Sequence, residues 1–402
     1  MEKSQRSTEG SLEELEALLE TAGGTAVATV LQIKDKPDSH TFIGSGKVLE
    51  IKEIIKNEDC GLAVFDNELS PSQMRALSEE LEVRVIDRSG LILDIFAQRA
   101  QTAEGKLQVE LAQYKYLLPR LTGMWGHLVR QTAAGGASPI GTRGPGETQL
   151  ETDRRHIRRK ITKLESELEA VRKIRGVQRR QRERNAVPVV CLVGYTNAGK
   201  STLLNKLTGA DIPAVGRLFD TLDTTTRRLQ VAGVGEVLFS DTVGFIRKLP
   251  HHLVKAFKAT LEELSFADIL IHVVDASNPE WMEQAAVVDS LITELGAQQT
   301  PRLEVFNKSD LYTGEILPHG ENIVRVSAKT GAGADELMLK ITDILSSGTK
   351  RATLHIPYDK AGIIEALYHD GEVQSAEYMD EYIEVRAALP KRVFARWKEF
   401  ES

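Results

Sequence analysis

The sequence predicts an α/β protein. Its centre is a doubly wound domain with a mostly parallel sheet. A small parallel α/β domain and a long antiparallel helix pair precede it, and a small α+β appendage follows. Three observations predict this. Strand-like apolar runs alternate with amphipathic helical stretches through most of the chain. The apolar run Val187–Val193 leads into Gly194-Tyr195-Thr196-Asn197-Ala198-Gly199-Lys200-Ser201-Thr202, a strand, a tight turn and a helix start. Between Glu147 and Arg184, Ile157, Ile161, Leu164, Leu168, Val171 and Ile174 recur every three or four residues, the seam of a paired helix.

In chain order, residues 11–22 read as an amphipathic helix with Ser11 as N-cap. Strands are expected at Thr25–Ile33, Gly61–Phe65 and Val83–Ile86, alternating with helices at Gly46–Asn57, Pro71–Leu81 and Leu91–Arg99. Ser70 and Pro71 form the start signal of the middle helix. Gly105–Leu121 is helical, with Leu107, Leu111, Tyr114 and Leu118 on one stripe that suits the helix from Glu147. Between the two helices the run from Thr132 to Gly146 is too rich in glycine for helix or strand. The boundaries that follow are 1–104, 105–186, 187–349 and 350–402. The last segment reads β-α-β-β-α: Thr353–Pro357, Lys360–Tyr368, Glu372–Glu377, Tyr382–Ala388 and Lys391–Phe400.

Composition narrows the function. The 402 residues carry a net charge of −7, which argues against general nucleic-acid binding. The average hides an asymmetry. Arg154–Arg184 holds thirteen Arg or Lys against four Glu, a balance of +9, so the rest of the chain stands at −16. An acidic body with one basic rod suggests a directed polyanion contact. No aromatic residue lies in that segment, so contacts to phosphates and helix shape are expected rather than base stacking. The first ten residues are polar, no apolar run is long enough to span a membrane, and the two cysteines read as reduced. A cytoplasmic monomer is expected.

The spacing from Gly194 to Ser201 is G-x-x-x-x-G-K-S, a phosphate-binding loop. Backbone N–H groups of Gly194–Thr202 would surround phosphate oxygens, Lys200 would reach the β- and γ-phosphates, and Ser201 would ligate Mg²⁺. Gly44-Ser45-Gly46-Lys47 imitates the motif, but Val48 stands where a hydroxyl is needed, so a turn and helix start are expected. Four further motifs follow the true loop. Asp241-Thr242-Val243-Gly244 ends a strand; Asp241 would hold Mg²⁺ through water, and the Gly244 amide would face the γ-phosphate. Asn307-Lys308-Ser309-Asp310 follows another strand. Asp310 can accept two hydrogen bonds from the N1–H and 2-amino group of guanine, a pair that adenine lacks, so GTP and GDP are the expected ligands. Lys308 would lie along the base and Asn307 would tie the loops together. Ser327-Ala328-Lys329 would offer the Ala328 N–H to guanine O6. Between the first two motifs, Phe219-Asp220-Thr221-Leu222-Asp223 supplies a switch whose threonine closes on Mg²⁺ and γ-phosphate. Thr221 is the first choice and Thr225 the second, since hydroxyls at 224, 225 and 226 are chemically equivalent. Phe245 occupies the position of a water-orienting Gln and cannot polarise water, so slow intrinsic hydrolysis with external stimulation is expected.

With these motifs in place, the chain resembles the HflX family of ribosome-associated GTPases. The resemblance rests on Phe42–Lys47, Val109–Gln113, Leu118–Leu121, Arg143–Arg155, Gly194–Ser201, Phe219–Asp223 and Asp241–Arg247. It implies a Mg²⁺-dependent GTPase that binds the large ribosomal subunit and its rRNA and splits ribosomes under stress. In that family the glycine-rich loop reaches the peptidyl-transferase region, and the Mg²⁺ threonine falls on Thr221. Here that loop is longer than the usual pattern, and Asp220 stands where the family often has Ala. Asn197 stands at the position used for a monovalent cation in potassium-stimulated GTPases, which the loop also resembles, so K⁺ in place of an arginine finger is an expectation. Two other functions stay open: a GTP-timed assembly or RNA-remodelling factor, and a regulatory module that binds proteins.

Overall fold

In a computed structural model the main chain is described except at residues 1, 35, 122–144, 186, 210–217, 220–224, 233, 250–261, 315–316, 348, 391–393 and 395–396. Side chains are also outside the description at 2–7, 145–150, 175, 178–185, 262–263, 347, 349, 369–370 and 390. Asp220, Thr221, Leu222, Asp223 and nearly all of the glycine-rich run therefore fall outside the described residues. The chain forms two compact units. One holds Met1–Val171 together with Arg217–Phe219 and Arg247–Phe257; the other holds Arg172–Gly216, Asp220–Ile246 and Lys258–Ser402.

The first unit contains α1 (Glu2–Thr21), α2 (Ser45–Asn57), β1 (Leu62–Phe65), α3 (Pro71–Leu81), β2 (Arg84–Asp87), α4 (Arg88–Arg99), α5 (Ala103–Leu117) and α6 (Pro145–Asn185), the last running on into the second unit. β1 and β2 pair in parallel from Leu62 opposite Arg84 to Phe65 opposite Asp87. Val48, Leu69, Leu77, Leu81 and Val85 fill the core beside them. Local chemistry starts the helices. Ser70 and Gln73 form a reciprocal capping box ahead of Pro71, and Asp87 and Thr102 cap α4 and α5. Leu107, Leu111 and Tyr114 of α5 cluster with Ile161, Leu164 and Leu168 of α6, the middle of the seam read from the spacing, whereas Ile174, expected on the same seam, is 60% exposed because the apolar stripe of α6 outruns the cluster.

Three expectations meet a definite outcome here. α1 begins at Glu2, so Ser11 is an interior helix residue and not an N-cap. It is buried, and its hydroxyl donates to Asp66 Oδ2 at 2.7 Å, a tertiary acceptor replacing the local one. Thr25–Ile33 is not a strand, and the sheet has two strands rather than three among the described residues. β-branched residues favour extended backbone, but a ladder needs a partner edge in register. Gly44–Lys47 is a helix start, with Gly44 as N-cap of α2 and Lys47 paired to Glu50 at 2.7 Å.

The second unit carries β3 (Val189–Gly194), α7 (Lys200–Thr208), β4 (Thr225–Val231), β5 (Gly235–Asp241), β6 (Ile269–Asp275), α8 (Trp281–Glu294), β7 (Arg302–Asn307), β8 (Ile323–Arg325) and α9 (Ala334–Ser347). The described strands form one sheet in the order β4-β5-β3-β6-β7-β8, parallel except for β4 against β5. β3, β5, β6 and β7 read as continuous apolar runs because both faces of a parallel sheet are covered. The carboxyl ends of these strands are where such a sheet binds ligands. A second, antiparallel sheet of β9 (Thr349–Pro357), β11 (Tyr382–Pro390) and β10 (Glu372–Tyr378), ordered β10-β11-β9, packs with α10 (Ile363–Asp370), Phe394, Trp397 and Phe400. The helix expected over Lys391–Phe400 lies partly outside the described residues; Lys398–Phe400 forms a 3-10 turn.

Candidate nucleotide site

The site is assembled where β3, β5, β6 and β7 end. A Cβ on Gly194 would stand 2.2 Å from the Val273 carbonyl oxygen of β6, and one on Gly199, at φ +93°, 2.2 Å from Asn307 Nδ2. Glycine at both positions lets the loop close against the neighbouring strand end. Asn307 then fastens two loops at once. Its Nδ2 donates to the Ala198 carbonyl at 2.8 Å, and its Oδ1 accepts from the Ala328 N–H at 3.0 Å.

Lys200 opens α7 and is buried. Its ammonium donates to the carbonyls of Gly194 and Tyr195 at 3.1 and 2.9 Å. Burial pulls its pKa down to about 8, against the opposing pull of the Asp241 carboxylate. The Ser201 hydroxyl donates to Asp241 Oδ2 at 2.5 Å, and the Thr242 hydroxyl to the Leu192 carbonyl at 2.7 Å. The segment after β5 is pinned to the loop. Thr196 N–H donates to the Phe245 carbonyl at 2.7 Å, and Phe245 N–H to the Gly194 carbonyl at 3.1 Å. A Cβ on Gly244 would stand 2.8 Å from Thr196 Cα and 3.2 Å from Lys200 Nζ, so this glycine rests directly on the loop. Val243 and Phe245 are buried beneath it, whereas Asn197 is exposed in left-handed backbone at φ 59°.

At the other end, Lys308 also has left-handed backbone, φ 59°, and its ammonium pairs with Asp275 Oδ2 at 2.7 Å. Asp275 is held in turn by the N–H and hydroxyl of Ser277, at 3.0 and 2.6 Å. Asp310 and Lys329 are exposed, and Ser327 is buried. One detail differs from expectation. The Ala328 N–H expected for guanine O6 already donates to Asn307, so a base oxygen there must share that hydrogen. Asp275 is the residue that sequence reasoning missed; a strand-end Asp followed two residues later by Ser is an Asx-turn signal. Thr225 opens β4 opposite Asp241, which places the second-choice hydroxyl in the sheet. Phe219 belongs to the first unit.

Comparison with known proteins decides the family. The chain is 46% identical over 98% of its length to GTPase HflX of Caldanaerobacter subterraneus subsp. tengcongensis, covering 90% of that protein. The chain belongs to the HflX family of GTPases. GTPase HflX of Lacrimispora saccharolytica is 48% identical, over 96% of this chain and 91% of that one. Four family descriptions match in succession: GTP-binding GTPase N-terminal over 9–97, GTP-binding GTPase Middle Region over 99–182, 50S ribosome-binding GTPase over 189–308 and HflX C-terminal domain over 316–392. A GTP-binding protein from Sulfolobus solfataricus, solved with GDP, is 26% identical, with a TM-score of 0.44, over 83% of this chain and 94% of that one. Members of this family hydrolyse GTP, and GTP and GDP are the ligands of this fold. No described helix is long and apolar enough to cross a membrane. On α6, Arg155, Arg158, Arg159 and Lys163 line one shallow groove with Thr162, Ser166 and Glu167.

Proposed function

We propose that the protein is a GTP-driven factor that binds the large ribosomal subunit and splits or rescues ribosomes, with the GTP state controlling binding and hydrolysis controlling release. The observation that carries this reading is charge segregation: exposed Arg155, Arg158 and Arg159 share one groove of α6, while the chain as a whole carries −7. Such a surface suits phosphates held in a fixed shape.

Within this reading the loop from Gly194 to Thr202 wraps the phosphates, and Lys200, largely protonated at neutral pH, neutralises charge on the β- and γ-oxygens. Gly244 and Thr221 donate toward the γ-phosphate. Asp310 selects guanine, with Lys308 along the base and Asn307 and Ser327–Lys329 shaping its pocket. The half-buried Ser201 hydroxyl and the buried Asp241 carboxylate, in contact with each other, are hard oxygen donors that fit Mg²⁺. When bound, that ion screens phosphate charge as the bond to the γ-phosphorus breaks. Thr221 would complete its shell. Asn197, exposed within the loop, would hold K⁺. Because Phe245 cannot orient water, stimulation comes from the partner.

Co-sedimentation with purified 50S subunits in a non-hydrolysable GTP analogue, compared with GDP, tests the reading. Binding that ignores the nucleotide, or none, would overturn it. Reversing Arg154, Arg155, Arg158 and Arg159 to Glu should lower the salt slope of binding by about 0.9 for each phosphate no longer neutralised. Intact ribosomes that bind the protein with GTP yet never separate would favour the assembly or remodelling role instead.

A further inference from the structure

The ends of β6 and β7 lie side by side. Asp275 stands opposite Asn307 in parallel register, and the Ala276 N–H donates to the Asn307 carbonyl at 2.9 Å. Val274, Ala276, Phe306 and Leu317 form one buried cluster at these ends, and Trp281 meets Phe306 edge-on with centroids 5.1 Å apart. Close packing gives the two strand ends a firm footing. From it the chain leaves through Lys308 at φ 59°, left-handed backbone that a long side chain rarely adopts. The turn is held on both sides: Leu311 N–H donates to the Lys308 carbonyl at 2.9 Å, and Ser309 N–H to the Val326 carbonyl at 3.1 Å. The Lys308 side chain crosses to β6, where Nζ pairs with Asp275 Oδ2 at 2.7 Å.

Asp275 has little freedom of its own. Its other oxygen, Oδ1, accepts from the N–H and the hydroxyl of Ser277 at 3.0 and 2.6 Å. Folding gains little from this arrangement. The Lys308 side chain is 26% exposed, and an ion pair open to water contributes little to stability. Left-handed backbone at a lysine is itself a cost, and such backbone concentrates where a ligand is held. What the arrangement does achieve is to fix a lysine. Few side chains have more rotamer freedom to lose, and a ligand that meets one already ordered does not bear that loss on binding.

We propose that Asp275, braced by Ser277, is a positioning residue for guanine-nucleotide binding: it fixes the Lys308 ammonium so that the lysine stem stands as one wall of the base pocket before the nucleotide arrives. The inference deepens the proposed function and rests on its placement of guanine between Lys308 and Asp310. The methylenes of the stem cover the ring face and do not read its edge. Asp310 reads the N1–H and 2-amino pair. Asp275 therefore sets how tightly a base is held, and Asp310 sets which base it is.

Calorimetric titration of the full chain with GDP and with inosine diphosphate tests this. Hypoxanthine keeps the N1–H and O6 of guanine and lacks the 2-amino group. Asp275→Asn keeps the size of the side chain and an acceptor for Ser277, and removes the charge that holds the ammonium. It should weaken GDP and inosine diphosphate alike, each about 5- to 20-fold. Lys308→Met keeps an unbranched apolar stem without the ammonium and should cost a similar factor. If Asp275 acts through Lys308, the double variant binds GDP within about twofold of Lys308→Met alone. A mere loosening of the strand end would add a further loss in that background. Parental GDP affinity in either single variant, a loss in Asp275→Asn that differs more than about threefold between the two nucleotides, or losses that multiply in the double variant would overturn the proposal. Asp310→Ala separates the two levels. If it weakens GDP binding while Asp275→Asn does not, the positioning inference alone fails. If it binds GDP like the parent, the placement of guanine fails and takes the inference with it.

Discussion

Replacing Asp310 by Ala removes the carboxylate assigned to guanine N1–H and the 2-amino group. In the structure this side chain is exposed and makes no hydrogen bond among the described residues, while Asn307 and Lys308 beside it are fixed by Ala198, Ala328 and Asp275. The substitution therefore leaves the loop standing, and the thermal midpoint should not move. A hydrogen bond to a charged group contributes about 1.5–3 kcal/mol. The carboxylate must shed water to bind, so the low end applies to each of two bonds, about 3 kcal/mol in all, or roughly 150-fold weaker GDP binding. Calorimetric titration with GDP reads this directly. Asp310→Asn supplies a matched control. Its Oδ1 still accepts from N1–H, and its Nδ2 donates to a C2 carbonyl, so this variant should prefer xanthosine diphosphate to GDP. Asp310→Ala that binds GDP within threefold of the parent would refute the reasoning, since guanine would then be held by something else.

Three other outcomes are expected. Gly244→Ala places a methyl carbon 2.8 Å from Thr196 Cα, so the segment must lift from the loop; hydrolysis should fall at least about tenfold in a phosphate-release assay while GDP binding persists. His272 on β6 is buried, neither ring nitrogen has a hydrogen-bond partner among the described residues, and burial holds its pKa at about 4, with Asp289 opposing and Arg302 and Lys200 reinforcing. The unfolded chain takes up a proton near pH 6.5 that the folded chain refuses, so this residue costs stability progressively as pH falls from 6.5 to 4, by about 3 kcal/mol at the lower end. Urea melts of His272→Leu should show that acid slope flattened relative to the parent. Finally, hydrolysis in KCl should exceed that in NaCl if Asn197 helps to hold K⁺, and Asn197→Ala should erase the difference; equal parental rates in the two salts exclude the role.

Much of the fold was legible because local chemistry settles it. Ser70-Pro71 starts a helix wherever it stands, and Val189–Gly194 can be little except a buried strand. The same periodicity put Leu111 on the stripe that meets Leu164 and Leu168 in the structure. Reasoning of this kind failed at Ser11 and at Thr25–Ile33. In both, the residue types were compatible with the local prediction, but the deciding partner, Asp66 for one and a strand edge for the other, was a matter of tertiary neighbours. At the site, every phosphate-loop residue was nameable from spacing, yet Asp275 was not, because its role exists only through the reach of the Lys308 side chain.

What the sequence determined alone is the local layout of the candidate nucleotide site: glycines where a Cβ would strike Val273 or Asn307, a lysine and a serine at the start of a helix, and a carboxylate two residues beyond Lys308. These follow from short-range geometry, in which identity and spacing fix what the backbone can do. What only the tertiary structure decided is where Lys248 is anchored. Asp66 and Lys248 are 182 positions apart, and no periodicity links them. Their pairing arises because the fold buries Asp66 beside Arg88, and a buried carboxylate recruits whatever ammonium the folded chain brings within reach.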